Sequence, residues 1–554
     1  MKSVLWLIGL LLPLSLYGQP PFNIELPNEI KHHDDYNSIV YINPDYTDGN
    51  SDGSKSRPYT SWSDIGSFSP NTAYLQKGGT RDNNMSGFEV KADNVLIGAY
   101  GSGNRPVISG RIYIIGDYVT LRDMEISGGG VEINHPSPHP VGTVIYNNVI
   151  HGGPILSAGN QFRILHNELY DVYRDGMFIQ YARNFEIAYN HIHHVNTAWE
   201  DSHSQDVASG DGIQLNQTNR WWVHHNIIDR SNSGNKFCLI ATQNLSGVEV
   251  QKGLMEYNTL KGPLREGDGG ASIFIGGAHD SIFIARNTIK GPSGAALYHH
   301  SNMHFYNNIV DGTYRGVVTA SNTGYVYNNL FVNIESAQVT SGSNHLYNNI
   351  FEKSSGLKNV SSKDNNIYLD QTSPEQVFVD FSRENYELKE GSPAINAGDW
   401  KSFFAEHYDH GLDSNEVPQN SNIDVGPFQY SANTQDDSDD QDSTDNDNDQ
   451  DTTDTQDSTD VTTGIGDQSR QEVMKIFPNP ANNTLYVTVD DIPVKSYLTV
   501  VSMEGKAVLR REIYPSSGEK RIMINLSGLP KGVYILRLHN PGMMRAKKFI
   551  KSNR

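Results

Sequence analysis

One recurring hexapeptide governs what this chain can fold into. Between residues 119 and 352 the order apolar, two variable, asparagine, one variable, apolar appears as "IYNNVI", "ILHNEL", "IAYNHI", "VHHNII", "MEYNTL", "IARNTI", "FYNNIV", "VYNNLF" and "LYNNIF". It sets Asn148, Asn167, Asn190, Asn226, Asn258, Asn287, Asn308, Asn329 and Asn349 at equivalent places, and "LRDMEI" is a tenth copy without the asparagine. A unit of about twenty residues made of short strands cannot bury its own apolar face, so the copies must stack. The expected fold is all-β, a right-handed parallel β-helix over roughly residues 90–370. The asparagines should line the inside of one bend, where their amides bond to the coils above and below.

The spacing of these asparagines places the function. Successive steps are 19, 23, 36, 32, 29, 21, 21 and 20 residues. A bare coil needs about twenty-one, so the surplus between Asn190 and Asn287 must leave as loops, and solenoids concentrate function where neighbouring loops rise over one face. The longest insertion includes "WEDSHSQDVASGDGIQLN", residues 199–216, with Glu200, Asp201, Asp206, Asp211 and His203. Aligned as successive rungs, "DGMFIQ", "DGIQLN" and "NKFCLI" point Met177, Ile179, Ile213, Leu215, Phe237 and Leu239 inward. Alternation then turns Gln214, Asn216, Lys236 and Ile240 outward. Asp175, Asp211 and Asn235 would stack at the preceding turn, about 4.8 Å apart per rung. Two carboxylates that close repel, which raises one pKa or recruits a hard cation. Ca²⁺ is the expected cofactor, held by Asp175, Asp211 and the loop residues Asp201 and Asp206. Beside this stands the simpler reading that Asp-Gly only shapes the turn.

The ends of the chain read differently from its middle. "MKSVLWLIGLLLPLSLYGQ" has an apolar run too short to span a bilayer and broken by Pro13, so residues 1–18 are read as a secretory signal peptide. No other segment is apolar and long enough to cross a membrane. Cys238 is the single cysteine, which excludes an intrachain disulfide and fits a small packed side chain. Residues 431–465 form an acidic linker: its stretch to 463 holds twelve aspartates, and setting these aside takes the net charge from −21 to −9. That residual acidity argues against a nucleic-acid partner. The linker's "DNDNDQD" lacks the glycine and final glutamate of a calcium loop. Residues 466–554 alternate apolar and polar positions between turn signals, as in a small β-sandwich.

Two resemblances extend this reading. "FPNP", "GKAV" and "LPKGVYILRL" closely resemble the sorting domain of type IX secretion substrates, which implies export through the periplasm to the cell surface or medium and the type IX machinery as partner. "IVYINPDYTDGNSDGSKSRPYTSWSDI" with "YLQKGGT" resembles the lead-in segment of secreted β-helix polysaccharide-degrading enzymes, and "GSPAINAGDW" with "IDVGPFQY" their closing segment. The second resemblance covers most of residues 36–430 and implies a pectate-lyase-like solenoid, residues 19–430 being the catalytic domain. It implies an acidic polysaccharide such as alginate or pectate as substrate, and a monomer is expected.

A lyase acting on such a polymer must neutralise the uronate carboxylate, remove the neighbouring proton and release the glycosidic oxygen. The expected catalytic residues are Lys236 as base, His203 as base or proton shuttle, and Arg265 to grip the carboxylate. Trp199, Gln214, Asn216, Trp221, Tyr298 and His300 are the expected substrate contacts, with Trp222 and His299 extending the same floor. An inverting hydrolase is the rival reading, since Glu200, Asp201, Asp206, Asp211, Glu266 and Asp268 could furnish a carboxylate pair about 6.5–9.5 Å apart. A non-catalytic adhesive β-helix is a third, disfavoured because the irregularity is gathered in one patch rich in titratable groups. Among His191, His193, His194, His203, His224 and His225 no spacing matches a zinc signature.

Overall fold

The computed structural model describes residues 20–430, apart from 28–29, 84–86, 134–138, 196–209, 231–237, 244–250, 263–269, 278, 292, 405–407, 414 and 419–420, together with most of 474–552. The expected signal peptide and linker lie outside the described residues. The described chain divides into two compact units, one ending at Thr434 and one beginning at Gln435. No helix among the described residues is long and apolar enough to cross a membrane.

The first unit is a right-handed parallel β-helix. Its sheet 1 has fourteen parallel strands in chain order, from Ser38–Ile42 to Val360–Asp364. Stacking therefore starts in the lead-in segment, well before residue 90: Ser38–Ile42 already pairs in parallel with Thr72–Lys77. Sheet 2 holds the short strands that follow each ladder asparagine, among them Glu168–Tyr170, His191–His193 and Ile227–Asp229. Sheet 3 holds Ile155–Ser157, Met177–Gln180, Ile213–Asn216, Ile240–Gln243, Ala271–Gly276 and Ala295–His299 with their successors. Both sheets branch from the long strand Glu125–Ile133, which pairs with a member of each. Inward positions of all three sheets form one continuous apolar core, from Ile42 to Phe351.

The bend between sheets 1 and 2 shows why the hexapeptide is so regular. The residue before each ladder asparagine takes a left-handed conformation, with φ between 52° and 59° from Asn147 to Asn348. That single residue turns the strand, and a following asparagine repairs the hydrogen bonding. From Asn148 to Asn349, each ladder residue donates its backbone N–H and its Nδ2 to the Oδ1 of the next rung at 2.9–3.0 Å. The column continues onto Asn366, a rung outside the hexapeptide pattern because Lys363 stands at its first apolar position. At the other end the backbone N–H of buried Met124 donates to Asn148 Oδ1 at 3.0 Å. Left-handed backbone is costly for His, Tyr and Arg. Here the rings of His166, Tyr189, His225 and Tyr257 stack at 4.7, 4.8 and 4.9 Å, which offsets part of that cost.

Two of the three outer faces carry docked segments over part of their length. Across sheet 1, Arg122 Nη1 donates to Lys31 O and Gln161 Nε2 to Glu25 Oε2, so the N-terminal arm lies along it. Further along, fully buried Arg286 spans Glu256 Oε2 and Asp409 Oδ1 at 3.1 Å each, and Asn328 Nδ2 donates to Asp424 O at 2.7 Å, so the closing segment docks there. On sheet 2, Ile309, Leu330, Val332 and Ile350 pack with Val377, Phe378, Tyr386 and Leu388. Among the described residues no comparable segment packs on sheet 3.

The second unit, taken by itself, is the expected β-sandwich. A three-stranded antiparallel sheet of Met474–Phe477, Thr484–Val489 and Lys520–Asn525 accompanies a four-stranded one of Ser496–Ser502, Ala507–Ile513, Gly532–Asn540 and Met543–Lys551. Leu485, Val487, Leu498, Val500, Leu536, Leu538 and Phe549 form its core.

Candidate functional site

The outer face of sheet 3, on which no described segment docks, lies between the ends of the insertions, and Gln214, Ala241 and Val318 on it are buried. Residues 196–209, 231–237 and 263–269 each connect sheet 2 to a sheet 3 strand, and 244–250 follows Ile240–Gln243 on the way back to sheet 1. Trp199, Asp201, His203, Asp206, Lys236 and Arg265 all belong to these segments and lie outside the described residues. What the structure describes is the floor between them.

Parallel register sets that floor out in columns. Phe178, Gln214, Ala241, Phe274, Tyr298 and Val318 are aligned partners, and beside them runs the row Gln180, Asn216, Gln243 and Gly276. Met177, Ile179, Ile213 and Leu215 point inward as their spacing requires, so the outward positions alternate with them. Tyr298 lies over Phe274 with ring centroids 5.8 Å apart, and His300 closes the group at 5.4 Å from Tyr298 and 6.1 Å from Phe274. Gly276 makes room for this platform, because a Cβ there would stand 2.5 Å from Phe274. Asn216 adds a buried Oδ1 that has no hydrogen-bond partner among the described residues. Four sequence-selected residues, Gln214, Asn216, Tyr298 and His300, therefore share one face. Phe274 was not selected, and only the register with Tyr298 reveals it.

Four expectations are corrected. Trp221 is not a substrate contact: it is fully buried on the inner side of sheet 1, facing Gly253, whose absent Cβ leaves space for the indole. Trp222 is spent on the outer face of sheet 1, where Nε1 donates to Glu256 Oε1 at 2.9 Å. His299 points inward, with Nδ1 2.8 Å from Ser301 O and Nε2 2.6 Å from Thr319 Oγ1, and burial pushes its pKa down to about 4. The fourth correction is a slip in register. Ile213 pairs with Ile240, so the rung after "DGIQLN" is "CLIATQ" rather than "NKFCLI". Ile240 consequently faces the core, fully buried, and Cys238 rather than Asn235 follows Asp211 at the turn. The alignment that set Lys236 on the strand beside Asp211 falls with it, because Lys236 precedes that strand.

Asp175 and Asp211 do stack, as their motif predicts, and their partners explain why. Asp175 Oδ1 accepts the backbone N–H of Asp211, and Asp211 Oδ1 accepts that of Cys238, both at 2.7 Å. The Asp-Gly pair thus ties each turn to the next coil. Burial pushes Asp175 up to about 6; burial and then the Asp175 charge push Asp211 up to about 7. The sequence reading missed Arg230, fully buried, whose guanidinium Nη1 donates to Cys238 O at 3.1 Å and attracts both carboxylates. Of the four expected calcium ligands, Asp175 and Asp211 are described, and each engages its Oδ1 with a backbone N–H of the next coil, near the guanidinium of Arg230. The Cys238 thiol is pushed far up by burial, so it is a packed side chain rather than a nucleophile.

Comparison with known proteins agrees with this architecture. Residues 86–252 match the family described as right handed beta helix region. The fold is that of a right-handed parallel β-helix. Residues 475–552 match the secretion system C-terminal sorting domain, so this β-helix protein is exported to the cell surface or beyond. No curated protein matches the sequence. Among solved structures, pectate lyase Pel9A is similar at 15% identity and TM-score 0.38, over 74% of this chain and 99% of that one. A periplasmic alginate epimerase follows at 11% and 0.35, over 54% and 78%, and a rhamnogalacturonan lyase at 12% and 0.29, over 64% and 95%. At these identities and scores the likenesses carry no chemistry to this chain.

Proposed function

We propose that this exported β-helix degrades an acidic, uronate-containing polysaccharide by β-elimination, with the chain of sugars lying along sheet 3. The observation that carries the reading is the make-up of this floor: a partly exposed aromatic platform of Phe274, Tyr298 and His300 beside a row of amides, between the ends of the longest insertions of the solenoid. Aromatic faces stack on the apolar side of a pyranose, and amides bond to its hydroxyl groups. In this reading Arg265 neutralises the uronate carboxylate and Lys236 or His203 removes the adjacent C5 proton. The C4–O bond then breaks as the C4=C5 double bond forms, and the glycosidic oxygen leaves with a proton.

Incubation of the full-length protein with a panel of acidic polysaccharides tests this directly. The expected result is a growing ultraviolet absorbance from the unsaturated uronate. New reducing ends without that chromophore would replace elimination by hydrolysis, and binding without new ends would make the protein an adhesin.

A further inference from the structure

Away from sheet 3, the outer face of sheet 2 gathers Glu168, His191 and His193. The two histidines are alternate residues of one strand and so project to the same side. Glu168 is the aligned partner of His191 on the preceding rung. One ligand atom from each of the three lies within 4.8 Å of the others. His193 Nε2 is 3.3 Å from Glu168 Oε1, and the two imidazole rings are 4.5 Å apart. Because all three stand on paired strands rather than loops, their spacing is set by the ladder, and Tyr170 stacks on His193 at 5.3 Å.

We propose that Glu168, His191 and His193 form a binding site for a divalent transition-metal ion, with zinc the best match. Two imidazole nitrogens and one carboxylate are a borderline-soft donor set that selects zinc over calcium or magnesium, and three protein ligands leave a fourth position open to water or to an anionic oxygen. The surroundings suit a cation. His193 Nδ1 lies 2.8 Å from His194 Nδ1, so with Nε2 on the metal the Nδ1–H donates to His194, the second partner that ligating histidines usually have. Lys261, two rungs along the column from His193, is engaged by Asp229 at 3.7 Å. No linear zinc signature exists here because Glu168 and His191 are one whole coil apart in sequence.

Calorimetric titration of the chelator-treated full-length protein with Zn²⁺ tests the site, with the visible spectrum of bound Co²⁺ as a second probe. Wild type is expected to take up one equivalent. The His191→Ala/His193→Ala variant should lose saturable binding and the cobalt bands, and Glu168→Gln should weaken binding tenfold or more. All three side chains are on the outer face, so melting should be unchanged; His193→Gln serves if the double variant misfolds. Absence of saturable binding to wild type, or wild-type binding by a folded His191 or His193 variant, would overturn the assignment.

Discussion

Replacing Asn226 by alanine should expose how much of the solenoid's stability resides in its asparagine column. Asn226 Oδ1 accepts the backbone N–H of Asn190 at 3.0 Å and its Nδ2 at 2.9 Å. Its own Nδ2 donates to Ile187 O, His224 O and Asn258 Oδ1 at 2.8–3.0 Å. In Asn226→Ala the Asn190 amide loses its acceptor where no water reaches, while Asn190 Nδ2 keeps Ile164 O. A buried group left unsatisfied costs about 1–3 kcal/mol, and weakening of the remaining bonds brings the expected loss to about 2–4 kcal/mol. Asn366→Ala is the control. It ends the column, is only half-buried, and lets water replace the amide, so its cost should be about 1 kcal/mol or less. Urea unfolding followed by the fluorescence of Trp221 and Trp222, one strand before Asn226, reads both. Equal losses for the two variants, or no loss at Asn226, would refute the claim that buried cross-rung bonds rather than turn propensity hold the coils in register.

Three other outcomes follow from the geometry. Phe274→Ala and Tyr298→Ala should each raise KM for the polysaccharide about tenfold, equivalent to about 1.4 kcal/mol, and leave the melting temperature nearly unchanged. Trp221→Ala should do the reverse, destabilising by about 3–5 kcal/mol while KM of the folded fraction stays the same. The pH dependence of melting should fall on both sides of an optimum. Asp211 is raised to about 7, so the folded state holds its proton longer than the unfolded chain and stability declines as pH rises from about 4 through 7. Glu186 is also buried, which opposes ionisation, but His224 and Arg163 hold it down to about 2, so its contribution is present above about 4.5 and lost as pH falls towards 2. Asp175, raised to about 6, adds to the same limb, so Asp211→Asn should make the alkaline limb shallower while the acid limb stays, and an unchanged alkaline limb in that variant would remove Asp211 from it.

How far the sequence reaches can be read from particular residues. The hexapeptide located nine rungs and their bend because burying an asparagine is tolerable only where another asparagine bonds to it, so the structural requirement repeats as a visible letter. Asn366 was invisible because Lys363 breaks the apolar frame at the last coil, where less burial is demanded. Gln214 and Asn216 were legible from alternation with Ile213 and Leu215. The next rung was not, because the length of an insertion says nothing of where the chain re-enters the sheet; three residues of slip turned Ile240 from wall to core. Trp221 and Trp222 show the same parity problem in miniature, adjacent residues with opposite fates.

What the sequence by itself determined is the stacked architecture, the swollen coils and the sorting domain, since each rests on local pattern or on a period that recurs. What only the tertiary structure decided is what meets across rungs and on which faces the two ends of the solenoid chain dock. Phe274 reaches Tyr298, Arg230 reaches Asp211, and Glu168 reaches His191 through neighbours about one coil or more apart in sequence, and coil length varies wherever loops are inserted. The coverage of sheets 1 and 2 by the N-terminal arm and the closing segment is likewise a product of long-range docking, carried by contacts such as Arg286 with Asp409 that span more than a hundred residues and leave no period in the sequence.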